Sequence, residues 1–324
     1  MHNHFDKELG MQWHDRIGRR LKLRDLHILL AVVQRGSMAK AATELAISQP
    51  AVSKAIADME YTLGLRLLDR TRHGIEPTTY GRVLIKRGTI IFDELKQAAQ
   101  ELDFLADPTV GELRIGSSES MAAGLLPAII DRFSREYPRV VLTVVQAVFA
   151  TMQYRELRER SVDLLLGRIF APFAEDDLES EVLFDDQLVV VSGRQSRWAR
   201  SRRLELANLS QEQWILPPAD SLPGVSTAEV FRASGVDLPE APLTTLSIHL
   251  SLQLVVTGRF VAMLPRSILR FRGNDQLLKM LPIKLPIQPR PIAIMSLKHR
   301  TLSPVAQRFI DCARTVAKSM ARGK

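Results

Sequence analysis

One cysteine, Cys312, stands among 324 residues, so the chain cannot close a disulfide within itself. That usage suits a reducing cytoplasm, and Cys312 is expected to be a small buried residue on a helix rather than a reactive thiol. Long hydrophobic runs are missing too. No stretch reaches the roughly 18 apolar residues of a membrane span, so no membrane partner is expected. The first twenty residues are polar and mixed in charge, unlike a signal peptide; Met11 is an alternative start. Catalytic signatures are also lacking: there is no G-x-x-x-x-G-K-[ST] loop, no H-E-x-x-H and no Cys/His set with zinc spacing. The seven histidines are scattered. GSSES, residues 116–120, resembles a nucleophile elbow, but Ser120 stands where that turn requires glycine. No catalytic residue, metal site or cofactor is expected.

Charge is present, with a net +8 and a pI near 9.8. Residues 1–105 hold 16 Lys and Arg against 13 Asp and Glu, leaving 28 against 23 for the rest. The basic excess is therefore spread along the chain, and charge alone argues only weakly for nucleic acid. The arrangement of a few residues has to carry that case.

Residues 37–64, SMAKAATELAISQPAVSKAIADMEYTLG, supply the arrangement. Ser37 is an N-cap for a short helix whose buried stripe is Ala41, Ala42 and Leu45. Ile47 plugs the turn, Ser48 caps a second helix, and Pro50 sits in its first turn, where a missing N–H costs little. Val52, Ile56, Met59 and Leu63 recur at i, i+4, i+7 and i+11 and make one apolar face. Gln49, Ser53 and Lys54 fall on the other face, as a recognition helix in a major groove requires. A helical hairpin with a merely solvated polar face has the same stripes, so the flanks matter. Upstream, Leu26, Leu29, Leu30 and Val33 mark a helix ending at Gly36. Downstream, Gly64 ends the second helix, and RLLDRTRHGIEP reads as a hairpin with its tip at His73-Gly74. Arg70, Thr71, Arg72 and His73 then lie where a minor-groove wing places them. Together these parts make a winged helix-turn-helix. Its DNA-contacting set is Ser37, Lys40, Ser48, Gln49, Pro50, Ser53, Lys54 and Arg70 to His73.

The run A-A-x-x-L-x-I-S-Q-P-A-V-S-K-x-I-x-x-M-E-x-x-L-G, followed by L-L-x-R and P-T-x-x-G, resembles the N-terminal domain of LysR-type transcriptional regulators. Met38 and Leu68 stand where that family more often has Phe, which keeps core character. Lys54 stands where Arg is frequent, and an ammonium lacks the guanidinium's fork.

From the N-cap Thr78 a helix is expected to about Leu105. Leu84, Gly88, Ile91, Leu95, Ala98, Leu102 and Leu105 are spaced alternately by four and three, a coiled-coil seam rather than an ordinary amphipathic helix. Packing on its own domain is the competing account. A dimer through Leu84, Ile91, Leu95, Ala98 and Leu102 would present two wings to a dyad operator. The resemblance implies such linker helices paired antiparallel.

After Pro108 the texture changes. GELRIG, VVLTVVQA and VDLLLGR read as strands, alternating with the helical SMAAGLLPAIIDRFSREYP and YRELRERS, so a parallel sheet covered by helices is expected. FDDQLVVVSG opens a second α/β unit, and IKLPIQPRPIAIMSLKH returns to the first before a final helix from Ser303 to about Met320. The fold class expected is α+β multidomain: an N-terminal winged helix-turn-helix, a long linker helix and a C-terminal two-lobed α/β domain of periplasmic-binding-protein type. The boundaries expected are an extension at 1–20, the winged domain at 21–78, the linker at 79–106 and the effector domain at 107–324. Lobe I then holds about 110–184 and 285–324, and lobe II about 185–284.

Strand ends in such sheets bind ligands, and hydroxyls and free N–H groups at helix starts can hold an acid, phosphate or sugar. In acid-responsive members of the resembling family a Ser or Thr at the first turn contacts the ligand, which RIG-x-x-x-S assigns to Ser120. The second hydroxyl position corresponds to Ala150, with Thr151 beside it. The candidate effector set is Ser117, Ser118, Ser120, Thr151, Arg168, Ser221 and His249. The serines are equally understandable as helix caps, His249 as a structural imidazole and Arg168 as half of an ion pair. Glu119 argues against a strongly anionic ligand.

The function expected is a cytoplasmic, sequence-specific transcriptional regulator. Its partners would be double-stranded DNA, a small effector (an organic acid, an aromatic or a sugar), further copies of itself as dimer or tetramer, and RNA polymerase. The alternative is an α/β enzyme carrying an N-terminal DNA-binding domain. A ligand-indifferent architectural DNA binder would hardly need about 200 residues of two-lobed structure.

Overall fold

A computed structural model describes residues 20–71, 74–146, 154–170, 173, 175–270 and 277–322. Two compact units divide between Lys96 and Gln97, within one long helix. Among the described residues no helix is long and apolar enough to cross a membrane.

The first unit opens with α1 (Leu23–Arg35), α2 (Met38–Glu44) and α3 (Gln49–Leu63). Gly36 at φ 63° stops α1, the Ser37 hydroxyl caps α2 by accepting from Lys40 N at 3.5 Å, and Ser48 caps α3 by accepting from Ala51 N at 3.3 Å. The core joins Leu26, Ile28, Leu29 and Val32 of α1 to Ala41 and Ala42 of α2 and to Val52, Ile56 and Met59 of α3. The α1 stripe is rotated from the expected one: Ile28, Ala31 and Val32 are buried, while Leu30 and Val33 are half-buried. Helices touch α1 on two sides, so its apolar face is broader than one narrow stripe.

β1 (Leu68–Thr71) and β2 (Gly74–Pro77) form the hairpin, Arg70 opposite Ile75. The expected tip residues Arg72 and His73 lie outside the described residues. The Glu60 carboxylate fastens the hairpin to α3, accepting from Leu67 N at 2.7 Å and Leu68 N at 3.2 Å. Ile75 N donates to Gly36 O at 3.1 Å, and a Cβ at Gly74 would lie 2.8 Å from that oxygen. The P-T-x-x-G run has a similar cause. Thr78 donates its hydroxyl to Arg66 O at 2.8 Å and accepts from Gly81 N at 3.0 Å, and a Cβ at Gly81 would lie 2.1 Å from Leu67 O.

α4 (Thr79–Ala106) follows. Its first turns are not a free connector. Leu84, expected in the seam, packs with Ile85 and Phe92 on the helix-turn-helix core, and Gly88 meets Leu26. Ile91, Leu95, Ala98, Leu102 and Leu105 are exposed, the last two by 67% and 72%. The outward seam therefore begins one heptad later than the spacing implied.

The second unit contains two five-stranded sheets. One is ordered β4 (Arg139–Gln146), β3 (Val110–Ser117), β5 (Leu164–Arg168), β12 (Arg290–Leu297) and β6 (Leu178–Asp186). The other is ordered β11 (Leu278–Met280), β7 (Leu188–Gly193), β10 (Phe260–Pro265), β8 (Gln213–Leu216) and β9 (Leu243–Thr244). The expected parallel pairing holds for β3 with β4 and β5, but β12 runs antiparallel to β5 and β6, and β7 antiparallel to β10 and β11. Both sheets are therefore mixed, because β6 and β12 cross between them without a covering helix.

The expected single helix after β3 is two, α5 (Glu119–Ala122) and α6 (Leu125–Glu136), broken at Gly124, where a Cβ would press on Ser120 O at 2.8 Å. YRELRERS forms one turn, α7 (Arg155–Arg158). The second sheet carries α8 (Leu222–Ala233) and α9 (Ile248–Val256), and the chain closes with α10 (Pro304–Arg322), started by Ser303 accepting from Ala306 N at 3.2 Å. Leu113, Ile115, Leu126, Ile129, Phe133 and Phe309 dominate the first core. Cys312 is buried in it, donating to Ile129 O at 3.7 Å, and burial pushes its thiol pKa up.

Arg300 and Asp163 pair at 2.7 Å, both buried; Arg300 also donates to Val162 O and Asp163 accepts from Arg114 N. Removing one member leaves the other charged in the interior. Asp163→Ala is expected to lower unfolding stability by about 3–5 kcal/mol, read as an earlier urea midpoint for the second unit.

Candidate functional site

Two regions gather chemistry. The first is the start of α3. Ser48, Gln49, Pro50 and Lys54 are exposed there, and the first turn carries no acidic residue, so the helix dipole's positive end is uncompensated. Ser53 is half-buried, its hydroxyl 3.3 Å from the Met38 thioether, a weak acceptor that leaves it exchangeable. The Met38 departure thus has a local consequence, because Phe would offer Ser53 no such partner. Lys40 is exposed on α2, and Ser37 is spent as a cap. On the hairpin, the Thr71 hydroxyl lies near Gly74 O at 3.3 Å and Glu76 at 3.4 Å.

The second region is a cavity of about 180 Å³ between the two sheets of the second unit, mostly apolar and walled by Phe170, Ile215, Leu216, Met263 and Leu264 among others. Ser118 and Ser120 line it from the turn after β3, their hydroxyls 3.1 Å apart. Ser117 is buried, turned to Ser118 O at 3.1 Å, and does not line the cavity. Ser221 lines it, but its hydroxyl donates to Pro218 O at 2.6 Å and accepts from Gly224 N at 3.1 Å, which makes it the cap of α8. His249 is exposed, and its backbone N–H rather than its ring reaches the cleft chemistry, donating to Glu119 at 3.2 Å. Thr151 lies outside the described residues.

Arg168 also lines the cavity, yet it is committed to Asp186. It donates to Asp186 O at 2.9 Å and to the carboxylate at 2.7 Å, both side chains being buried. Asp186 further accepts from Ser267 N at 3.1 Å and Ser267 Oγ at 2.7 Å. Burial lowers the Arg168 pKa, the Asp186 charge opposes that, and nearby Arg290 adds to the lowering.

Two regions of the chain match family models: residues 106–318 the LysR substrate binding domain, and residues 23–82 the bacterial regulatory helix-turn-helix protein, lysR family. The chain belongs to the LysR family of transcriptional regulators. GbpR of Azospirillum brasilense, an HTH-type transcriptional regulator, is 28% identical over 304 residues, covering 94% of this chain and 89% of GbpR. TdcA of Escherichia coli K12, another, is 24% identical over 293 residues, covering 90% and 92%. Among solved structures, a full-length OxyR variant from Pseudomonas aeruginosa superposes with a TM-score of 0.64 at 19% identity, covering 92% of this chain and 98% of that one. CbnR, a LysR family transcriptional regulator, gives 0.60 at 21%, covering 92% and 99%; at these identities both share the fold. GbpR, TdcA and CbnR are each named as transcriptional regulators, none as an enzyme.

In this LysR-family chain the cavity also takes lining that motif reading missed: Gln146, Ser226, Thr227, Thr245, Gln288 and Arg290. Only Thr245 had a legible signal, as a hydroxyl following a short strand. Gln146 ends β4, Ser226 and Thr227 lie on α8, and Gln288 and Arg290 come from the segment that returns into β12. Ser226 is 5% exposed and, among the described residues, makes no side-chain hydrogen bond. The contrast is measurable. Ser221→Ala is expected to cost about 1 kcal/mol as a lost helix cap, whereas Ser226→Ala stays within about 0.5 kcal/mol, both in urea titrations.

Proposed function

We propose that this regulator reads a dyad operator with the N-terminal turns of two α3 helices, one from each protomer. The carrying observation is the exposed, acid-free start of α3, with Gln49 and Lys54 free of the core. Gln49 is assigned to a base edge, Lys54 to guanine or phosphate and Ser53 to base or backbone. Ser37, Lys40, Ser48 and Pro50 lie against the sugar-phosphate chain, and Arg70 to His73 enter the adjacent minor groove. A relative of the same fold, CbnR, is known in complex with its target DNA, at a TM-score of 0.52 and 22% identity over 92% of this chain and 100% of that one.

Pairing runs through Ile91, Leu95, Ala98 and Leu102 on the outward side of α4, with a dimer of dimers as the larger assembly. The division into winged domain (21–78), linker (79–106) and effector domain (107–324) belongs to this reading, as do a cytoplasmic location and contact with RNA polymerase. A small metabolite enters the cavity beside Ser118 and Ser120 and shifts the population of lobe arrangements. A hundredfold shift needs a preference of about 2.7 kcal/mol for one arrangement, within reach of a few buried hydrogen bonds.

Gln49→Ala and Lys54→Ala are each expected to weaken operator binding about 5- to 100-fold, by the roughly 1–3 kcal/mol of one base contact, in gel-shift titrations. Unchanged affinity and base preference in both would remove α3 from the groove. Wild-type affinity should also fall steeply from 50 to 200 mM salt as phosphates are neutralised; a flat response contradicts DNA binding.

A further inference from the structure

Glu119, on lobe I, reaches across the cleft to the start of α9 on lobe II. One carboxylate oxygen accepts from Ser247 Oγ at 3.1 Å and from His249 N at 3.2 Å. Ser247 is the cap of α9, its own oxygen accepting from Leu250 N at 3.2 Å. The first turn of α9 has no acidic residue of its own. A carboxylate about 130 residues earlier in the chain thus occupies the position at a helix start that favours negative charge.

Among the described residues, every other charge lining the cavity is matched as well. Arg168 is held by Asp186 at 2.7 Å, and Arg290 by Glu229 at 3.1 Å and by Phe170 O. A second carboxylate entering beside Glu119 would meet like charge at a site already filled. Independently, Ser226 lines the cavity and, among the described residues, makes no side-chain hydrogen bond, so its hydroxyl is free to bond a polar group on the ligand. The remaining walls are mainly apolar, and an apolar cavity of roughly 150 Å³ is known to admit benzene, against about 180 Å³ here.

We infer that Glu119 is an internal occupant of the α9 anion site, latching the two lobes and restricting the effector to uncharged, ring-sized molecules that carry a hydroxyl or amide. The inference rests on the cleft being the effector site. It reassigns this corner of the cleft from ligand binding to closure: Glu119 does for the two lobes what a ligand carboxylate would otherwise have to do.

The test uses the full chain and two probes of one shape, benzoate and benzyl alcohol, in thermal unfolding. Wild type is expected to respond to benzyl alcohol, by about 3 °C at tenfold its Kd, and little to benzoate. Glu119→Gln, which removes the charge and keeps the shape, should gain a benzoate response of similar size. Ser247→Ala keeps the Glu119 charge and should gain none, which separates charge from loosened packing. A wild type that prefers benzoate, or a Glu119→Gln protein with no benzoate gain, overturns the inference. Failure of the cleft reading looks different: Ser226→Trp, which fills the cavity, would then leave the probe responses intact.

Discussion

Arg168 and Asp186 meet at 2.7 Å where the two sheets of the second unit are joined, and both are buried. The Asp186 carboxylate organises the crossing between the sheets. Asp186 ends β6 of the first sheet, Leu188 begins β7 of the second, and Ser267, just beyond β10, places two hydrogen bonds on the same carboxylate. Ser267 thus adds a directional tie between the two sheets beside the short crossing from β6 to β7. A buried ion pair adds little net stability against apolar side chains of the same size, but it strongly disfavours geometries that separate its members. The pair therefore fixes the ends of β5 and β6 within the first sheet, and the two Ser267 hydrogen bonds carry that fixed carboxylate's hold to the second.

Glu119 works at the other rim of the same cavity and differs in strength. It is half-buried, and its partners are a hydroxyl and one backbone N–H rather than a guanidinium. Breaking such a contact costs far less than separating a buried charge pair, because its groups can exchange to water. In the proposed reading, a firm tie at the crossing and a weaker one at the mouth would leave two lobe arrangements close enough in free energy for a small ligand to decide between them.

Much of the first unit was legible because its signals are local. Capping by Ser37 and Ser48 and the αL stops at Gly36 and Gly64 depend on backbone geometry within a few residues. The α1 stripe differs from the spacing for a reason that is not local: neighbours on two sides decide which residues are inside. Leu84 shows the same limit. Heptad spacing placed it in a seam, yet it lies beside the helix-turn-helix core, and a repeat alone does not say which surface it meets. In the cleft, Ser120 and Ser118 sat at a strand-to-helix turn that pattern reading recognises, whereas Ser226 lies mid-helix with no local mark.

The order of elements, the helix caps, the exposed polar start of α3 and the solitary buried thiol follow from residue type and short spacing, because steric and hydrogen-bonding preferences act between near neighbours. The mixed pairing of both sheets, the commitment of Arg168 to Asp186 and the capture of α9 by Glu119 were decided by tertiary structure. Each joins groups from 18 to about 130 residues apart, and contacts at such range depend on how packed lobes face one another, which no local preference encodes.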